Sequence, residues 1–148
     1  MPAVLTFYGE NYIADMLLGQ AQSPPANWYL ALCTLPPDPS IDGTSLSEPP
    51  TVSGYSRVQV PNDATHWGPA SGGIVVNNVE IDFGIATATW PEAVTDYAFC
   101  DALTNGNVYM TGSLRVPRVV FQNDQMIFAA GQIMVSVNPI EQIITSSS

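Results

Sequence analysis

Trp28-Tyr29-Leu30-Ala31-Leu32-Cys33-Thr34 decides the fold. The run is rich in aromatic and branched side chains, follows Pro24-Pro25, and reads as a central β-strand. Downstream, Val79-Glu80-Ile81-Asp82-Phe83 gives the cleanest alternation in the chain. Val79, Ile81 and Phe83 point one way and Glu80 and Asp82 the other, as in a half-buried strand with one wet face. A short strand or turn at Ile74 to Asn78 precedes it.

Working outward, further strands are expected at Tyr55 to Val60, Tyr97 to Leu103, Asn107 to Leu114 and Ile133 to Val137. Asn105-Gly106 is a two-residue hairpin signal. Val119 to Phe121, a turn at Gln122 to Asp124, and Met126 to Phe128 read as a second hairpin. Seven or eight short strands at such intervals favour an antiparallel sandwich or barrel, and nothing has the spacing of a parallel α/β sheet.

One helix is expected, near the N-terminus. Tyr8, Tyr12, Ile13, Met16 and Leu17 form a stripe at helical spacing, with Thr6 as candidate N-cap and Gly19 as candidate C-cap. That stripe packs either on the domain's own core or on a neighbouring subunit. The expected organisation is a helical segment over 1–22, a β domain over 23–138 and a tail over 139–148. The tail is expected to be frayed or draped over a neighbour.

Between Leu35 and Ser53 lies a long Pro- and Ser-rich stretch carrying Pro36, Pro37, Asp38, Pro39, Pro49 and Pro50. Such a composition reads as a surface loop, solvated or used as a contact arm.

Charge excludes some functions. Charged residues are 11% of the 148, well below the usual quarter or so, and the net charge is −10. The chain has no lysine, and its only cations are Arg57, Arg115 and Arg118. Three arginines cannot form a basic stripe, so neither nucleic acid nor an anionic membrane surface is a partner. No apolar run approaches the length of a membrane span, and Met1 to Thr6 does not open like a signal peptide. Synthesis in the cytoplasm, without export by the usual route, is expected.

Chemistry is also expected to be absent. Nucleophilic catalysis needs a nucleophile, a base and an orienting group. The single histidine, His66, sits in a turn-like segment without such neighbours. Zinc would need more ligands than one histidine and two distant cysteines. Asp38, Asp42 and Glu48 match no calcium loop. No cofactor, metal or catalytic residue is assigned. Cys33 and Cys100 read as small buried hydrophobes, with a disulfide as the lesser alternative. Trp28 reads as core. Trp67 and Trp90 lie in or beside loops, where a tryptophan can anchor an interface or stack on a sugar.

Several stretches, in order, resemble one family. They are Trp28 to Thr34, Pro36-Pro37-Asp38, Gly54-Tyr55-Ser56-Arg57-Val58, Ser71-Gly72-Gly73 and Val79 to Phe83. They continue with Asp101 to Val108, Gly112-Ser113-Leu114 and Ala129 to Val137. The set is similar to small virion proteins of tailed bacteriophages usually labelled tail-fibre proteins. The sequence departs from them in a longer loop around Ser40 to Thr51 and in its tail after Val137. The resemblance implies a structural virion component without catalytic residues. Proteins of this build also serve as capsid decoration (cement) proteins, and a carbohydrate- or receptor-binding module is a further alternative. The expected partners are further copies of the chain, with a trimer as the expected order, and other phage structural proteins of the tail or the capsid. The residues expected to make these contacts are Tyr8, Tyr12, Met16, Pro37, Asp38, Trp67 and Trp90.

Overall fold

The computed structural model describes residues 2–137. Among them are nine strands and one α-helix, so the chain is mostly β, as expected. Five strands form an antiparallel sheet: β1 (Val4–Leu5), β2 (Asn27–Cys33), β3 (Val58–Pro61), β6 (Val94–Cys100) and β7 (Val108–Arg118), in the order β1-β7-β6-β2-β3. Two ribbons accompany it. One joins β4 (Ile74–Val76) to β9 (Met134–Ser136), the other β5 (Ile81–Ile85) to β8 (Gln125–Phe128). All these pairings are antiparallel.

The founding stretch is an interior strand, β2, flanked by β3 and β6. Its alternation divides two cores. Leu30 and Leu32 join Tyr97 and Phe99 of β6, Ile81 and Phe83 of β5, Met126 and Phe128 of β8, and Val135 of β9. Burying each such side chain is worth about 1.5–3 kcal/mol, which binds the ribbons to the sheet as a sandwich. Ala31 and Cys33 point away, into a second cluster with Ala98, Cys100 and Val108. These side chains are small, and the 35–53 loop lies against them through Ile41 and Leu46. Both cysteines are free and buried. Burial pushes the Cys100 thiol up to about 12 and Cys33 higher still, so both stay protonated and unreactive.

The N-terminal segment ties the layers together. Ala3 forms a parallel bridge with Val135 of β9, while Val4 and Leu5 pair with Thr111 and Met110 of β7. No sequence signal pointed to this strand, because two residues carry no readable period.

Other expectations shift in detail. Asn105 and Gly106 both take positive φ (58° and 75°), as an Asn-Gly turn requires. They sit, however, in a wider loop, because the Asp101 carboxylate accepts from both the backbone and side-chain nitrogens of Asn107. The hairpin expected between Val119–Phe121 and Met126–Phe128 does not form. β8 pairs instead with β5, 40 or so residues earlier, and the Val120 carbonyl accepts from the Trp90 N–H.

Candidate functional site

Helix α1 (Phe7–Leu17) begins where expected, the Thr6 hydroxyl accepting from the Gly9 N–H. Thr6 is itself buried and donates to the Val108 carbonyl, which fixes the helix start against β7. Gly9 is the only buried helix residue, and a Cβ there would stand 2.1 Å from the Tyr109 carbonyl oxygen. Close approach of helix and strand therefore depends on glycine at this position. Gly9→Ala is expected to lift the helix from β7 and cost about 1–3 kcal/mol. Faster chymotryptic cleavage after Tyr12, with the β core still folded, would check it.

The same docking builds a tyrosine cleft. Tyr8 and Tyr12, one turn apart, meet Tyr109 edge to face at centroid distances of 4.9 and 5.2 Å. With Tyr29 and Asp101 they line a cleft of about 470 Å³. The Tyr12 hydroxyl donates to the Ser23 carbonyl, and Tyr109 lies 5.0 Å from the Trp28 ring. Two of the expected contact residues thus share one cleft. Tyr29, Tyr109 and Asp101 were not expected there, since only the fold brings β2, β7 and the β6–β7 loop beside the helix. Of the rest of the stripe, Ile13 and Met16 are half-buried, and Leu17 is 75% exposed.

The Pro-rich loop is not a free arm. Its anchor is Arg57, only 6% exposed, whose five N–H groups are all used. Two go to the Glu48 carboxylate at 2.8 and 2.9 Å, and three to the carbonyls of Gly43, Ala102 and Asn105. The Tyr55 hydroxyl also donates to Glu48 at 2.6 Å and accepts from the Leu32 N–H. One guanidinium therefore clamps the loop to the β6–β7 turn, with the planar fork that only arginine provides. A signal for it existed in the sequence: an arginine beside a strand, nine residues after the loop's only glutamate. Pro37 is half-buried. Asp38 stays at the surface, where bonds from the Ser40 hydroxyl and N–H lower its pKa. Neighbouring Pro39 accepts from the Phe7 N–H, so the loop touches the helix start.

Trp67 and Trp90 require correction. Both are core residues, 9% and 3% exposed, and neither can anchor a partner. Trp67 lies 5.4 Å from the Phe99 ring and donates to the Pro61 carbonyl; Trp90 donates to Ser53 and packs edge-on against Tyr55. Trp67 forms an isolated antiparallel bridge with Asn77 just after the turn at 64–66. His66 meets the exposed Asp63 carboxylate at 2.6 Å. Among the described residues no three His, Cys, Asp or Glu side chains come together as metal ligands.

Residues 5–136 match the family described as "Podophage GP4 fiber I protein gp80", and the chain belongs to that family. The resemblance to tailed-phage fibre proteins is thereby borne out, and with it a structural, tail-associated role as part of the virion. No curated protein matches the chain.

Proposed function

We propose that the chain is a non-catalytic building unit of the phage tail, a homo-oligomer that joins other virion proteins through surface contacts. One observation carries this reading: large apolar side chains remain at the surface of a well-packed domain. Phe7, Leu17 and Leu18 on and after the helix are 57%, 75% and 81% exposed, and Val52 in the loop region is 87% exposed. Leu17 and Leu18, adjacent at the end of the helix, offer apolar surface that another protein can cover. Tyr8, Tyr12, Met16, Pro37 and Asp38 lie on the same helix and loop and belong to these contacts. A three-fold assembly suits a fibre. Light scattering on the purified full chain tests self-association, and a monomer at micromolar concentration contradicts it. Imaging of intact particles tests the location; density on the head shell would favour a decoration role instead.

The tyrosine cleft favours one second reading, carbohydrate binding. The exposed Tyr8 and the half-buried Tyr12 and Tyr29, beside the Asp101 carboxylate, offer the stacking faces and acceptor that a sugar needs. Glycan binding lost on Tyr8→Ala, with assembly intact, would support it.

A further inference from the structure

The tyrosine cleft holds a negative charge that nothing beside it cancels. Asp101 lines the cleft, just after β6. Its carboxylate accepts from the Asn107 N–H at 2.8 Å, the Asn107 side-chain amide at 3.0 Å and the Tyr109 hydroxyl at 3.4 Å. All three donors are neutral. Among the described residues Asp101 has no ion pair, and no arginine or histidine lines the cleft. Arg57 reaches the carbonyl of the next residue, Ala102, but its charge is matched by Glu48.

The carboxylate is held in place before any ligand arrives. Gly106 takes a φ of 75°, and a Cβ there would stand 2.5 Å from Asp101 Oδ1. Glycine lets the loop close over the acid, and the two bonds from Asn107 fix one oxygen each. Little ordering is then left to be done on binding.

The remaining groups select in the same direction. Tyr12 gives its hydroxyl proton to the Ser23 carbonyl, which leaves its oxygen as an acceptor. Tyr8 and Tyr12 lie 6.5 Å apart with ring planes 30° from parallel, and both stand steeply to the buried Tyr109 ring. A tyrosine face attracts a cation within about 6 Å. Carboxylate, phenol oxygen and ring faces all favour a positive group that only donates, which an ammonium is. A neutral sugar uses the rings but leaves the charge unmatched. An acidic sugar is repelled by Asp101 and by the net charge of −10.

We propose that the cleft binds saccharides bearing a free amine, with the ammonium against Asp101 and the sugar ring on Tyr8. This rests on the carbohydrate reading of the cleft, and it names the class of sugar.

The test is calorimetric titration of the full chain with two probes, a trimer of glucosamine and a trimer of N-acetylglucosamine, at a pH where the free amine is charged. The two share a backbone and differ in charge. The glucosamine trimer is expected to bind tighter by about tenfold or more, an advantage that shrinks as salt rises. Tyr8→Ala, at an exposed position, is expected to weaken both, and Asp101→Asn to remove only the difference. Equal affinity for the two trimers in wild type, or binding of neutral glycans alone, overturns the amine and leaves the carbohydrate reading standing. No binding of either trimer or of any glycan on an array overturns both. An advantage that persists in both variants belongs to the acidic surface at large and overturns the site. Nα-acetyl-lysine amide binding as tightly as the glucosamine trimer overturns the sugar, since the ammonium alone would then be recognised. The wild-type comparison involves no substitution, so it decides even if Asp101→Asn fails to fold.

Discussion

Arg57→Ala is expected to destabilise the protein by about 3–5 kcal/mol, the range for removing one partner of a buried ion pair. The side chain is only 3% exposed and Glu48 20%, so both groups are largely out of water. Removing the guanidinium leaves the Glu48 carboxylate with the Tyr55 hydroxyl as its remaining side-chain donor, and strands the carbonyls of Gly43, Ala102 and Asn105. It also uncovers the small-residue face at Ala31, Cys33 and Ala98, since the loop loses its clamp. A fall of roughly 10 °C or more in Tm should accompany this. Arg57→Lys should recover little, because an ammonium cannot reach five acceptors spread over one plane. Thermal melts of the two variants decide the matter: midpoints near wild type would mean that the loop is held by packing alone.

Trp67→Ala is expected to cost about 3–5 kcal/mol as well, through the cavity left beside Phe99 and the loss of the bond to the Pro61 carbonyl. A surface anchor would behave in the opposite way, weakening assembly while leaving the melting temperature alone. Denaturant unfolding read beside oligomeric state separates the two. A stable Trp67→Ala chain that no longer assembles would return this residue to the interface.

These two residues also show what could be read from the chain. Strand β2 was legible as an unbroken run of aromatic and aliphatic side chains, β5 because its apolar positions alternate, and the helix because Thr6 and Gly19 bracket a 3.6-residue stripe. The tail-fibre resemblance came from ordered short stretches and holds over residues 5–136. What failed was non-local. Trp67 looks exposed beside Gly68-Pro69, yet its partner Phe99 is 32 positions away. The hairpin at Val119 to Phe128 looked local, but β8 found β5 instead. The Pro-rich loop has the composition of a solvated arm, and composition cannot show that one arginine across the sheet holds it. The candidate site was half legible: Tyr8 and Tyr12 follow from helical spacing, whereas Tyr109 and Tyr29 join them only once the sheet exists. The expected tail contact over 139–148 lies outside the described residues.

The bond from Thr6 to Val108 spans 102 positions, and β1 needs Thr111 before it can pair at all. A ribosome must therefore release most of the polypeptide before its first dozen residues have anything to settle on. Until then Thr6 and Gly9 lack the β7 backbone against which they are buried, with the helix still seeking its seat. Such long-range closure slows folding. It also means that a product stopped before β7 leaves Val4 to Gly9 without the strand they pair and pack against.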